Sequence, residues 1–315
     1  MTPNTKTLDF TLGVNWSMST TSKGWPFRQT LYEQSIKHTI LVPLILLFIA
    51  VIFKILDVFV LRLDELLGEI ILSKSIGFLL VIAYLWFVGK SVTAIGLHGR
   101  AVGKALIIGA TGVILILFVS YGLQFSVLVG AGKQPALVLT AIDPKAGVTG
   151  SWAFALFLIV GNFINSFMEE GLFRGVMLRH FRVSLSFWRA NFLQAALFAL
   201  WHLNWPIKQF VTGQTDLGET AFQAIMLLVA AGIYGFAMGY LYLKTDNLWA
   251  PWLMHTINNS VQNMVHIRTI EGLDSDMVVF QIALTLFFIA ILPLFRAMTK
   301  RFQMSEVNPW GQEAK

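Results

Sequence analysis

The 315-residue sequence contains no cysteine and few charged residues. Without cysteine, the chain has no disulfide bond, no thiolate metal ligand and no cysteine nucleophile. Charged residues make up 13% of the chain, about half of the roughly 25% that is usual in soluble domains. Hydrophobic residues make up 56%. This composition excludes an ordinary soluble domain and predicts a polytopic membrane protein.

Other common signals are missing as well. Residues 1–37 are polar and have no early apolar run after a charged start, so we expect no cleavable signal peptide. The sequence shows no internal repeat, no low-complexity segment and no second domain. The formal net charge is +6, but a cationic excess in a membrane protein usually reflects the bias of its cytoplasmic loops. We therefore expect no nucleic-acid partner.

Eight apolar stretches approach the roughly 20 residues that a helix needs to cross the hydrocarbon core of a bilayer. They span residues 39–61, 76–97, 105–129, 152–177, 187–205, 220–243, 248–267 and 277–298. The fifth and seventh stretches are weaker candidates for transmembrane helices, because they carry the polar residues His, Asn and Gln. The pattern predicts an all-α fold of about eight transmembrane helices. We expect a tail over 1–37, a single transmembrane domain over 38–300 and a second tail over 301–315.

Loop charges predict how this bundle is oriented. If the N-terminus is cytoplasmic and the chain crosses the membrane eight times, most of the 23 Lys and Arg residues lie on the inner side. Two acidic clusters fall on the outer side, namely Asp64, Glu65 and Glu69, and Glu271, Asp274 and Asp276. We therefore expect both termini to be cytoplasmic.

Polar side chains within the spans are functional candidates, since ionisable groups at membrane depth are rare and usually face a wet interior. One face of the fourth span carries Asn162, Asn165, Ser166 and Glu169. Glu170 and Arg174 are four residues apart, in the order that favours an ion pair within a helix. We expect Arg174 to neutralise Glu170, which leaves Glu169 as the carboxylate on the polar face.

The fifth and seventh spans have polar faces of their own. Phe198 and His202 share one face of the fifth span, and the seventh carries His255, Asn259, Gln262 and His266. At 1.5 Å per residue, the two histidines and Glu169 lie about 14–20 Å from the predicted cytoplasmic ends of their spans. We therefore expect them to converge on one site. Hydrogen bonding between helices is the alternative interpretation of such polar groups, and it is the one we favour for Asn162, Asn165, Gln262 and Asn263.

These residues form three motifs on separate apolar segments: EEGLFR (169–174) fits E-E-x-x-x-R, FALWH (198–202) fits F-x-x-x-H, and HTINN (255–259) fits H-x-x-x-N. Each motif alone is weak, but the ordered trio resembles the CPBP (Abi) family of intramembrane proteases. That family includes the CAAX prenyl endopeptidases and bacterial bacteriocin-processing and immunity proteins. The resemblance covers about residues 150–265, and the first three predicted spans carry no motif.

The resemblance implies an intramembrane endopeptidase and a role for each motif residue. Glu169 would activate the attacking water with help from His202. His255 and Asn259 would form the oxyanion hole. The supporting residues would be Glu170, Arg174 and Phe198. Amide hydrolysis requires these two functions, a base for water and donors for the developing oxyanion.

A zinc site is the alternative to this metal-free mechanism. Two histidines and a glutamate can hold a catalytic zinc ion, and the ligands would be Glu169, His202 and His255. The sequence has no H-E-x-x-H helix, and the prenyl endopeptidase branch is described as metal-independent. We therefore expect no cofactor.

The resemblance also suggests a substrate class and a location. We expect a membrane-embedded or lipidated peptide or protein tail as substrate, and a multi-pass protein of a bacterial inner (plasma) membrane in contact with the lipid bilayer. Two other functions stay open. Buried Glu and His suit a proton-coupled transporter, although the inverted repeats of many transporters are absent. A non-catalytic immunity or scaffold protein would carry the same motifs. The sequence does not indicate an oligomeric state.

Overall fold

A computed structural model describes residues 7–8, 16–17, 26–67, 70–143 and 148–312. Within these ranges the fold is an all-α bundle with a few short strands, as predicted. The helices are α1 (Pro26–Lys37), α2 (Leu41–Ile55), α3 (Leu63–Leu67), α4 (Leu72–Phe87), α5 (Val102–Gly130), α6 (Trp152–Glu169), α7 (Arg179–Ser184), α8 (Phe187–Trp201), α9 (Asn204–Val211), α10 (Leu217–Thr245), α11 (Trp249–Met264), α12 (Met277–Ala290) and α13 (Leu292–Arg301). Two π-helical segments, Leu56–Leu61 and Glu170–Leu178, continue α2 and α6, and Val92–Ile95 is a 3₁₀ turn.

Four continuous helical stretches are long and apolar enough to cross a membrane, and they are Leu41–Leu61, Val102–Gly130, Trp152–Ser184 and Leu217–Thr245. Helices α12 and α13 form a fifth if their 40° bend lies within one span. The remaining three predicted spans correspond to α4, α8 and α11, which have 16, 15 and 16 residues. These helices are shorter than the roughly 20 residues of a full crossing. The membrane bundle is confirmed, whereas the number of eight spans stays a prediction.

Small residues bring the central helices together. Helix α10 packs along α8, and α6 packs against α4 and α11. A Cβ atom added to Gly235 of α10 would lie 3.1 Å from Phe198 and 3.3 Å from the Cα atom of Ala195 in α8. Close approach through glycine and alanine is typical of membrane helices, where packing replaces the hydrophobic driving force. The α8–α10 contact positions one wall of a central cavity.

The predicted C-terminal tail is part of the packed structure up to residue 312. Trp310 is fully buried, its ring stacks on His180 at 4.3 Å and its indole N–H donates to Ser35 Oγ at 3.0 Å. Its backbone N–H donates to the carbonyl of Arg179. Helix α1 and this tail therefore lie at the same end of the bundle. Most of the predicted N-terminal tail, and residues 313–315, lie outside the described residues.

The described residues also form three small β-sheets. Strands β1 (Thr7–Leu8) and β2 (Trp16–Ser17) pair, as do β4 (Ala141–Asp143) and β5 (Val148–Gly150). Strands β3 (Ala136–Leu139), β6 (Val265–Thr269) and β7 (Gly272–Leu273) form an antiparallel sheet. The seventh predicted span, 248–267, is therefore wrong at its end: α11 stops at Met264 because the next residues pair with β3. His266 lies in β6 and contacts Asp274 at 2.6 Å.

Candidate active site

The first motif lies where α6 changes its helical form. Glu169 is the last residue of α6, and Glu170 begins the nine-residue π-helical segment, all of which is buried. The predicted span 152–177 is helical throughout, and its helical form changes from α to π at Glu170. Segments of π-helix are rare, and those that exist are often located at functional sites. The backbone change thus coincides with the pair of glutamates.

Glu169 is almost completely buried, and its two carboxylate oxygens have different surroundings. Oε1 accepts a hydrogen bond from the indole N–H of Trp201 at 3.0 Å. Oε2 lies 3.7 Å from Nε2 of His255 and has no hydrogen-bond partner among the described residues. One oxygen therefore anchors the carboxylate, and the other is placed to act on a bound molecule.

Glu170 is fully buried behind Glu169. Its Oε1 lies 2.8 Å from Nδ1 of His255 and 3.2 Å from NH1 of Arg174. The arginine contact is an ion pair by distance, although NH1 is not aligned for a hydrogen bond. Arg174 also lies over the ring of Phe198, 4.3 Å from its centroid. Glu170 thus has two partners: Arg174, as predicted, and His255, which the sequence did not indicate.

The contacts of the two histidines define their neutral tautomers. His202 follows the end of α8, and its Nδ1 lies 2.8 Å from the carbonyl oxygen of Phe198. A carbonyl only accepts hydrogen bonds, so Nδ1 carries the proton and Nε2 is the basic nitrogen. Because Nδ1 of His255 faces the Glu170 carboxylate, the same assignment applies to His255. In the neutral forms, both rings present Nε2 as a proton acceptor.

A single cavity of about 200 Å³ brings the predicted residues together. Its wall contains Glu169, His202, His255, Asn259 and Phe198, whereas the other predicted residues, Glu170 and Arg174, lie behind it. Asn259 accepts a hydrogen bond from Asn258 through Oδ1 at 3.2 Å, which leaves its NH₂ group as a donor. The cavity therefore combines a carboxylate, two imidazoles and an amide donor from three helical segments.

The other polar residues of these spans divide into two groups. Asn162 donates to Asn263 at 2.8 Å, and Asn263 donates to the carbonyl of Ile142 at 2.8 Å. These two residues join neighbouring elements, as predicted. Asn165 and Gln262 instead line the cavity, so their interpretation as purely structural residues is incomplete.

Several residues at the site were not identified from the sequence, and three of them bear on the catalytic groups. Trp201 donates to Glu169, Tyr234 of α10 lines the cavity, and Lys54 of α2 donates to the Trp201 carbonyl at 2.8 Å. Lys54 could have been suspected, because a lysine within an apolar span needs a polar partner. Trp201 and Tyr234 have no such signal, since aromatic residues are common in membrane helices.

The alternative zinc site requires three side-chain ligands around one ion. Within the ranges that the structure describes, no three His, Asp or Glu side chains are arranged so that they could hold a metal ion. Glu169, His202 and His255 share the cavity without forming such a cluster.

The central part of the chain matches a known protein family. Residues 151–261 match the family model described as Type II CAAX prenyl endopeptidase Rce1-like. This segment contains all three motifs and most of the cavity wall. No curated protein matches the chain.

Proposed function

We propose that this member of the CPBP family of CAAX proteases is an intramembrane endopeptidase that hydrolyses a peptide bond with a glutamate-activated water. The observation that carries the proposal is the cavity in which Glu169 Oε2 has no hydrogen-bond donor among the described residues and lies 3.7 Å from His255 Nε2. A base and hydrogen-bond donors around one cavity are the groups that amide hydrolysis requires.

The reaction begins with water bound beside Glu169 and His202. Glu169 Oε2 accepts a proton from the water while Nε2 of His202 accepts a hydrogen bond and orients it. The water oxygen forms a bond to the carbonyl carbon, and the electron pair of the C=O bond moves onto its oxygen. When the tetrahedral intermediate collapses, the C–N bond breaks and Glu169 returns the proton to the leaving nitrogen.

The developing oxyanion is stabilised by Asn259 and His255. Asn259 donates through its NH₂ group, and His255 donates through Nε2 when the ring is protonated. The Glu170 carboxylate contacts the opposite ring nitrogen and orients the ring. Arg174 contacts Glu170 and lies over the ring of Phe198. Preorganised donors of this kind act most strongly where water is restricted.

The substrate in this proposal is a membrane-associated peptide, reached from the bilayer or the cytoplasmic face. The description of the matching family makes a prenylated CAAX tail the first substrate to test. We place the protein in a bacterial plasma membrane with both termini in the cytoplasm. This orientation agrees with the bias of Lys and Arg toward the predicted inner loops.

The proposal predicts that the wild-type protein cleaves peptides. The full chain in proteoliposomes should generate new termini from an S-farnesylated CAAX peptide or from a library of membrane peptides, as detected by mass spectrometry against protein-free vesicles. Complete absence of new termini would contradict the proposed function and favour a non-catalytic scaffold. A proton flux in those same vesicles, without cleavage, would favour the transporter.

A second prediction separates the metal-free mechanism from the zinc alternative. Because Glu169 generates the nucleophile without a Lewis acid, cleavage should persist after incubation with 1,10-phenanthroline and removal of the chelate. The measurement is the initial rate before treatment, after treatment and after addition of Zn²⁺. Loss of activity that Zn²⁺ restores would instead make Glu169, His202 and His255 metal ligands.

A further inference from the structure

Tyr234 of α10 lines the catalytic cavity and lies outside the three motifs. Its ring packs edge-on against His255, with centroids 5.2 Å apart, and stacks on Phe198 at 5.8 Å. The hydroxyl is buried and has no hydrogen-bond partner among the described residues. Leaving a buried hydroxyl unpaired costs free energy, so this group is expected to have a function.

The neighbouring residues hold the Tyr234 ring in one position. Gly235 brings α10 into close contact with Phe198 and Ala195 of α8. The carbonyl oxygen of Gly235 accepts hydrogen bonds from Gln194 at 2.9 Å and from Arg174 at 3.4 Å. The backbone that carries Tyr234 is therefore fixed to both α8 and the first motif. Such support is what a preorganised donor requires.

The tautomer of His255 shows what this hydroxyl can contribute. Since Nδ1 faces Glu170 at 2.8 Å, neutral His255 presents an acceptor at Nε2 and cannot donate to an oxyanion. Only the protonated ring can do so. In the neutral state, Asn259 is the only predicted donor left, and a phenol beside His255 is a donor that needs no change of protonation.

We propose that Tyr234 is a third oxyanion donor of this enzyme, an assignment that rests on the proposed function. Its O–H group donates a hydrogen bond to the carbonyl oxygen as the C=O electron pair moves onto that atom. Tyr234 keeps its proton and forms no covalent bond. The water proton still passes through Glu169 to the leaving nitrogen, so the reaction balances without any group beyond water and the peptide.

The test is Tyr234→Phe, which removes one oxygen atom and keeps the ring. Loss of one oxyanion donor should lower kcat by about 100-fold, with KM and the thermal unfolding midpoint nearly unchanged. Tyr240→Phe is the matched control, because Tyr240 lies on the same helix with its ring against Trp188, away from the cavity. That variant should keep the wild-type kcat.

A transition-state analogue separates a donor from a merely structural tyrosine. A peptide aldehyde forms a tetrahedral hydrate, and Tyr234→Phe should raise its inhibition constant by about the factor by which kcat/KM falls. An unchanged kcat in Tyr234→Phe would overturn the assignment while leaving the endopeptidase intact. A lower kcat with unchanged aldehyde affinity would also overturn it. Wild-type protein that cleaves no peptide would overturn the proposed function, and this assignment with it.

Discussion

Glu169→Gln should lower kcat for peptide hydrolysis by about 10³- to 10⁴-fold, at the upper end of what general-base catalysis contributes. The amide keeps the size of the side chain and an oxygen that accepts the Trp201 N–H, which lies 3.0 Å from Oε1. It cannot accept a proton from water. The variant should therefore stay folded while losing its base, which kinetic measurements on the purified full chain would show.

The control for this substitution is Glu306→Gln, the same change at an exposed carboxylate that pairs with Lys244. It should leave kcat unchanged. Thermal unfolding of both variants should lie close to that of the wild type, which excludes misfolding as the cause of the lost activity. Cleavage by Glu169→Gln at the wild-type rate would show that another group activates the water, and the role assigned to Glu169 would be withdrawn.

The long apolar runs predict the main helices well because the length of a membrane helix is set by the bilayer. The run 220–243 lies within α10 (Leu217–Thr245), and the run 105–129 lies within α5 (Val102–Gly130). Ends are less predictable, since they depend on contacts distant in sequence. Strand β6 ends α11 early through pairing with β3, and apolar periodicity contains no information about that partner.

The motif residues could be found from the sequence because charged and amide side chains within apolar spans are conspicuous. The match of residues 151–261 to the model described as Type II CAAX prenyl endopeptidase Rce1-like agrees with the family that they indicated. The connections among these residues could not be found in this way. The contact of Glu170 with His255 joins residues 85 positions apart, and spacing alone shows only the neighbour at i+4, Arg174.

Aromatic side chains account for most of what the sequence left unidentified at the site. Trp201 and Tyr234 occur among 42 aromatic residues that make up 13% of the chain, the sum of 26 Phe, 10 Trp and 6 Tyr. Only the fold shows that the Trp201 N–H contacts Glu169 and that Tyr234 lines the cavity. The buried Trp310 is a further case, because a polar terminal segment gives no sign of its packing against His180.

Arg174→Met should destabilise the protein by about 3–5 kcal/mol, the range for removing one partner of a buried ion pair. Arg174 and Glu170 are both fully buried and lie 3.2 Å apart. Methionine fills much of the space of the arginine side chain. Of the two partners of the Glu170 carboxylate, only His255 then remains. Denaturant-induced unfolding of the full chain in detergent micelles would measure the loss.

The exposed pair Arg62–Glu65 supplies the matched comparison, since its side chains are 54% and 42% exposed. Arg62→Met should cost no more than about 1 kcal/mol, because solvent screens such surface pairs. The double variant Glu170→Gln/Arg174→Met should be more stable than Arg174→Met alone, since no uncompensated carboxylate then remains buried. Equal losses in the free energy of unfolding for Arg62→Met and Arg174→Met would show that burial of Glu170 carries no electrostatic cost. Arg174 would then have no role in holding Glu170, the residue that orients His255.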